Sequence, residues 1–135
     1  MRQGGNKLNS GRAKKAEEAI AEAVKILDQI IQQVSAGKNV SDYSHAIWES
    51  FSKIEYSIIM LKLHLGKEYP GRLFKKVKIK ENDHEMLIDV SNEITYALNN
   101  LRKEKYLKAL ESGRRARNIL HATLLDMRKI RASQV

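Results

Sequence analysis

The stretch "SDYSHAIWESFSKIEYSIIMLKLHLG", residues 41–66, decides the fold. Its large apolar residues recur at steps of three and four, which is the period of one face of an α-helix. Ser41 is a candidate N-cap and Gly66 a candidate C-terminal stop, so the sequence predicts a helix over about 41–65. The residues of its main apolar stripe are Tyr43, Ile47, Phe51, Ile54, Ile58, Leu61 and Leu65.

A second apolar set points to another side of the same helix. Its members are Trp48, Tyr56, Ile59, Met60 and Leu63. A helix that is apolar on more than one side is either central to a bundle or shared with another subunit. Leu107 and Leu125 add to this surplus, because both fall on the polar side of the last helix. We therefore expect a homo-oligomer with this second set at its interface. The alternative is a scatter of exposed apolar side chains, which needs no explanation.

Three more segments have the same helical period. They predict helices over about 12–36, 83–102 and 104–131, with Gly37 ending the first and Asn82 or Asp83 capping the third. Four amphipathic helices indicate an all-α four-helix bundle in one domain, residues 12–135. The residues expected to point inward from these three helices are Ala16, Ile20, Ala23, Val24, Leu27, Ile30, Ile31, Val34, Met86, Leu87, Val90, Ile94, Ala97, Leu98, Leu101, Tyr106, Ala109, Leu110, Gly113, Ala116, Leu120, Leu124 and Met127.

Two segments lie outside the helical pattern. Residues 1–11 are rich in glycine and polar groups, which predicts a flexible basic N-terminal arm. Residues 67–82 contain a Pro-Gly turn followed by "KKVKIK", and they predict a basic loop.

Composition limits the class of protein. The 135 residues include no cysteine, so disulfides and thiolate metal sites are excluded. The N-terminus lacks the apolar run of a signal peptide, and no segment is apolar enough to span a membrane. We expect a cytoplasmic or virion protein. One proline and many Ile, Lys and Glu residues are typical of a thermophile.

Charge is unevenly distributed along the chain. Residues 1–15 hold five basic and no acidic groups, as do residues 72–80, and residues 102–135 hold ten basic groups against three acidic. Residues 16–71 carry five basic groups against eight acidic, and residues 81–101 carry five acids alone. Basic charge is therefore concentrated in the arm, the loop and the last helix, a pattern typical of an anion-binding surface.

Nucleic acid is the partner that this pattern favours, with duplex DNA ahead of RNA. Non-specific binding needs only Lys and Arg spaced along a surface that contacts phosphates. The alternative for the last helix is that its arginines pair with the acidic third helix. The residues expected to contact phosphate are Arg2, Lys7, Arg12, Lys14, Lys15, Arg72, Lys75, Lys76, Lys78, Lys80, Arg114, Arg115 and Arg117.

Catalysis has weaker support in the sequence. Phosphate loops, metal-ligand spacings and triads are missing, so we expect no cofactor, no metal and no small-molecule substrate. The segment "RNILH", residues 117–121, resembles part of the signature of HEPN-type ribonucleases, in which four to six residues lie between a helical Arg and a following His. Only three residues separate Arg117 from His121 here, whereas Arg114 shares a helix edge with His121. The resemblance implies RNA cleavage by Arg114, Arg117 and His121.

The organisation of the whole chain resembles that of the coat proteins of archaeal filamentous and rod-shaped viruses. Like them, the chain joins a basic arm to a compact helical bundle that associates with itself. The resemblance implies a non-enzymatic protein that coats or packages DNA through phosphates without reading its sequence. The alternatives are a HEPN-like ribonuclease or toxin-type protein, a small helical subunit of a nucleoprotein complex such as an RNA-guided effector, and a protein-binding adaptor.

Overall fold

The computed structural model describes the backbone of residues 3–66 and 82–133 and the side chains of residues 11–66 and 82–127. Its elements are α1 (Gln3–Ser35), a short 3-10 turn (Val40–Tyr43), α2 (Ser44–Leu65), α3 (Asp83–Arg102) and α4 (Tyr106–Ser133). Within these ranges the chain is helical and forms no strand, which confirms the all-α four-helix bundle. None of the described helices combines the length and apolarity that crossing a membrane requires.

The ends of α2 and α3 follow from local capping. At α3 the prediction is confirmed, because the Asn82 side-chain oxygen accepts a hydrogen bond from the Glu85 amide at 2.7 Å. At α2 the predicted cap is wrong. The Asn39 side chain accepts from the Ser41 amide at 3.3 Å, which makes Ser41 part of the 3-10 turn, and α2 begins at Ser44. Gly66, with φ of 62°, ends α2 as predicted.

The first and last helices, α1 and α4, begin at positions other than those predicted. α1 starts at Gln3 instead of about Arg12, so its backbone runs through most of the predicted arm. Extension of an existing helix adds one hydrogen bond for each residue that is fixed, which favours continuation beyond the packed segment that begins at Ala16. α4 starts at Tyr106 instead of Glu104, because Glu104 lies in a turn with φ of 60°.

The four helices pack as a square. α1 and α4 each contact both α2 and α3. α1 and α4 begin at the end of the bundle where α2 and α3 terminate, so neighbouring helices are antiparallel. Gly66 and Asn82, which flank residues 67–81, consequently lie at opposite ends of the bundle. Three contacts at the end where α1 and α4 begin are the Arg12–Leu63 hydrogen bond (3.1 Å), the His64–Tyr106 ring pair (4.4 Å) and the Arg102–Glu17 ion pair (3.7 Å).

The core lies along the inward stripes that the sequence predicted. Most of those side chains are buried, and the remainder, such as Tyr43, Phe51 and Tyr106, are half-buried against the core. Small residues let the helices approach closely at two places. The buried Ser57 hydroxyl donates to the Ala16 carbonyl at 2.9 Å, and Gly113 faces Ile58 of α2.

Candidate nucleic-acid interface

More than half of the predicted phosphate contacts lie outside the described side chains. These residues are Arg2, Lys7, Arg72, Lys75, Lys76, Lys78 and Lys80. Their contact with nucleic acid stays a prediction. The remaining six residues belong to α1 and α4, and the structure divides them into two groups.

The arginines of α4 already have partners within the bundle. The Arg115 Nε donates to Glu93 of α3 at 2.9 Å, and Arg117 Nη1 lies 3.4 Å from Glu55 of α2. Arg114 is half-buried and also interacts within the protein. A carboxylate that neutralises an arginine leaves less charge for a phosphate, so the middle of α4 is a poorer anion site than its sequence indicates.

Lysines gather instead at the end of the bundle where α1 and α4 begin, which we call the basic end. Six of them have no hydrogen-bond or ion-pair partner among the described residues, and all but the half-buried Lys62 are exposed. They come from α1, from the last turn of α2 and from the start of α4 with the turn before it. The six are Lys14, Lys15, Lys62, Lys103, Lys105 and Lys108.

The balance of charge at this end is strongly positive. Besides the six lysines it contains Arg12 and Arg102, against four acids, which are Glu17, Glu18, Glu104 and Glu111. Sequence reasoning assigned Arg12, Lys14 and Lys15 to the interface but missed the other lysines. Their positions could be recognised only once the antiparallel packing placed three separate stretches of chain at one end.

The lysines at the start of α4 are not placed for helix stability. Lys105 immediately precedes α4, Lys108 lies in its first turn, and that turn has no acidic residue. The positive end of the helix dipole lies there, so positive side chains at this point are unfavourable. An anion would be attracted by both the lysines and the unpaired backbone N–H groups of the first turn.

Burial and neighbouring carboxylates affect a tyrosine at the same end. The pKa of Tyr106 is raised above its ordinary value by burial first, and then by the negative charges of Glu104 and Glu17. These acids therefore lie near Tyr106 and the ring pair that it forms with His64.

The opposite end of the bundle, which we call the acidic end, has the reverse balance. Its described side chains include one basic residue, Lys38, and seven acids, which are Asp28, Asp42, Glu49, Asp83, Glu85, Asp89 and Asp126; the last turns of α4, whose sequence contains Arg128, Lys129 and Arg131, are outside this count. Burial raises the pKa of Asp83 to about 6, with further contributions from the charge of Asp126 and a hydrogen bond to it. Asp83 therefore takes up a proton at mildly acidic pH and can then donate a hydrogen bond to Asp126.

The candidate ribonuclease residues lie on the seam between α2 and α4. Arg117 and His121 are one turn apart, and the His121 ring lies 5.9 Å from the Phe51 ring between centroids. His121 is exposed, and Glu55 approaches the Arg117 guanidinium. The Arg117 guanidinium therefore has a carboxylate beside it.

The predicted oligomer interface is only partly exposed. Trp48, Tyr56, Ile59 and Leu63 are between 40% and 52% exposed. Met60 does not belong with them, because it is half-buried and packs against the core. Lys53 forms a 2.7 Å ion pair with Glu22 of α1. Met60 lies two turns further along the same side of α2, so Met60 also faces α1.

Among the side chains of residues 11–66 and 82–127, no group of three or more His, Asp or Glu is arranged to hold a metal ion. No protein-family model, curated protein or solved structure matches this chain. The physical character of the two ends and of the α2–α4 seam is therefore the basis for a function.

Proposed function

We propose that this protein is a non-enzymatic, self-associating protein that coats or packages nucleic acid, with duplex DNA preferred over RNA. The observation that carries the proposal is the convergence at the basic end of six lysines that have no carboxylate partner among the described side chains. Binding to a phosphate backbone requires cations that are free to replace its condensed counterions. The lysines of the basic end meet this requirement, whereas the paired Arg115 and Arg117 do not.

Contacts of this kind position a protein on nucleic acid without reading bases. A lysine ammonium is a flexible point charge that follows a phosphate, and it lacks the planar fork with which arginine recognises guanine. The basic end therefore favours sequence-independent binding. Most of its lysines lie on the bundle surface, so the protein does not have to open for a phosphate backbone to reach them.

The two predicted basic segments are joined to the same end. Arg12 bonds to Leu63 near the end of α2, so the earlier turns of α1 continue past that end of the bundle. The connection that contains residues 67–81 departs from Gly66, at the same end. We propose that Arg2 and Lys7, together with the lysines of this connection, also contact phosphate.

Salt dependence tests this proposal. The Lys105→Ala/Lys108→Ala variant is compared with Lys25→Ala/Lys38→Ala, which removes the same charge elsewhere. Affinity for a fluorescent duplex of random sequence is measured by anisotropy over a range of salt. The first variant is expected to lower the slope of log K against log salt by roughly 1.8, that is, about 0.9 for each lost phosphate contact. Equal losses in both variants, or no loss in either, would contradict a binding surface at the basic end.

The HEPN-like ribonuclease is the second candidate, and the observation that favours it is the closeness of Arg117 and His121 on an exposed seam. It predicts that His121→Ala abolishes cleavage of single-stranded RNA while duplex binding at the basic end is retained. Absence of cleavage by the unaltered protein would reject this candidate and leave the binding proposal intact.

A further inference from the structure

The face formed by the outer sides of α2 and α4 has an apolar pair near each end. Contacts such as Phe51–His121 and Glu55–Arg117 give the register of these antiparallel helices. In that register Leu125 of α4 lies level with Trp48 of α2. At the other end Leu107 lies level with Leu63, as the neighbouring His64–Tyr106 ring pair requires. All four apolar side chains are between 40% and 48% exposed.

The two pairs are symmetric about the middle of the face. Trp48 and Leu63 are centred between Glu55 and Tyr56 on α2, and Leu107 and Leu125 are centred on Ala116 of α4. Because Glu55 pairs with Arg117, these two centres also lie level with each other. A two-fold axis in the plane of the face, at this level, would therefore superpose one apolar pair on the other. Between the pairs, Ile59 is 52% exposed on the same side of α2.

The other faces lack this pattern. On α1 no large apolar side chain among those described is exposed, and α3 has only Ile88 and Tyr96 in its described length. Of the eight exposed large apolar side chains among residues 11–66 and 82–127, six belong to α2 and α4. A large apolar patch on one side of a small domain indicates a protein–protein contact.

We propose that the α2–α4 face binds a second copy of this chain through a two-fold axis that runs across the helices. The axis passes at the level of Tyr56 and Ala116. It places Trp48 against Leu63 of the partner subunit, and Leu125 against Leu107 of the partner subunit. A two-fold contact is formed by the same patch on both subunits, which is the property that the two symmetric pairs provide.

Charge selects this axis over the other one that the apolar pairs allow. A two-fold axis running along the helices would place Trp48 on Leu125 of the partner subunit, with the two basic ends side by side. The axis across the helices reverses the second copy, so each basic end lies beside an acidic end. The axis across the helices brings opposite charges together, whereas the axis along the helices brings like charges together. The antiparallel dimer is therefore favoured.

The area of the face is sufficient for a stable dimer. α2 has 22 residues and is therefore about 33 Å long at 1.5 Å per residue. Two packed helices present a face roughly 20 Å wide, which corresponds to about 650 Å² on each subunit. The total of about 1,300 Å² falls within the range of specific interfaces, roughly 1,200–2,000 Å². The dimer would present one basic end at each extremity, although the inference does not depend on nucleic-acid binding.

Two measurements test the dimer. Sedimentation at about 100 µM is expected to give twice the 15.5 kDa chain mass. Ile59→Glu is expected to reduce this to the monomer mass with unchanged helical circular dichroism, because it buries a charge at the centre of the face. Ile88→Glu on α3, the matched control, should leave the dimer intact. A monomer in the unaltered protein, or dissociation by Ile88→Glu alone, would overturn the proposal.

Disulfide formation tests the axis independently of dimer stability, since the chain has no native cysteine. The proposed axis sets Ser52 opposite Ile59 of the partner subunit, so Ser52→Cys/Ile59→Cys is expected to form a covalent dimer under mild oxidation. Ser52→Cys alone should not, because the two copies of residue 52 are about 10 Å apart along the helix. A dimer, or any larger assembly, in which the double variant does not cross-link would overturn the antiparallel arrangement.

Discussion

The two ends of the bundle are built from the same four helices but differ in how their charges are satisfied. At the acidic end, Asp83 and Glu85 occupy the first turn of α3, where the helix dipole stabilises negative charge. At the basic end, Lys105 and Lys108 occupy the start of α4, where the dipole destabilises positive charge. Glu85 thus contributes to the fold at neutral pH, and these lysines oppose it, whereas burial and Asp126 offset the gain at Asp83.

This difference separates charge that serves structure from charge that is available to a ligand. Arg115 and Arg117 also belong to α4, yet each contacts a carboxylate on a neighbouring helix and joins that helix to α4. The lysines of the basic end make no such contacts within the described part of the chain. Positive side chains that are unfavourable in the isolated protein are expected where an anion binds.

Reversing charge at the basic end is expected to have the largest effect. Lys105→Glu/Lys108→Glu should weaken duplex binding by roughly tenfold to hundredfold at about 0.1 M salt, since two phosphate contacts are lost. The same variant should raise the melting temperature, because each glutamate at the start of α4 gains about 0.3–1 kcal/mol from the helix dipole. Anisotropy and thermal denaturation measure the two effects.

The matched control for this reversal is Lys25→Glu/Lys38→Glu, which makes the same change in net charge away from the basic end. We expect it to weaken binding only slightly and to leave the slope against salt unchanged. A lower melting temperature for Lys105→Glu/Lys108→Glu would show that the two lysines stabilise the fold, and the contrast between the ends would be lost.

A change midway between the ends should affect stability without affecting binding. An added Cβ at Gly113 would lie 3.5 Å from Ile58 Cγ1, an ordinary van der Waals distance. Gly113→Ala should therefore raise the free energy of unfolding by about 0.5–1 kcal/mol through helix propensity, as measured by urea denaturation. A destabilised variant would mean that α2 and α4 approach more closely than the structure indicates.

The carboxyl groups of Asp83 and Asp126 at the acidic end should make the stability of the protein depend slightly on pH. The pKa of Asp83 is about 6 in the folded protein and its ordinary value is 3.8. Its contribution to stability is therefore fully present below about pH 3.8 and is lost as pH rises through about 6. Asp126→Asn should flatten this dependence and, after solvent screening, stabilise the protein at pH 7.5 by a few tenths of a kcal/mol. Thermal denaturation between pH 4 and 8 measures the change.

For Asp126→Asn, the control is Asp42→Asn at the same end, which lies in the 3-10 turn and is exposed. An unchanged pH profile in Asp126→Asn would show that Asp126 does not raise the pKa of Asp83. If Asp42→Asn also flattened the dependence of stability on pH, the effect would come from the net negative charge of this end and not from Asp126 itself.

The sequence predicts the core better than it predicts the site. Period and capping identify all four helices, because burial of Ile54 or Ile94 depends on spacing within one helix. The basic end is different, since Lys14, Lys62 and Lys108 become neighbours only through tertiary packing. The pairing of Arg115 with Glu93 likewise depends on which helices are adjacent, which the period of a single helix does not specify.

Lysine footprinting is the measurement that tests nucleic-acid binding at the basic end most directly. The protein is acetylated with and without a saturating random-sequence DNA duplex, and the extent of modification at each lysine is read by mass spectrometry. We predict protection of Lys14, Lys15, Lys62, Lys103, Lys105 and Lys108, with Lys25 and Lys38 remaining as reactive as in the free protein. Uniform protection of all lysines, or protection that spares these six, would contradict the proposed surface.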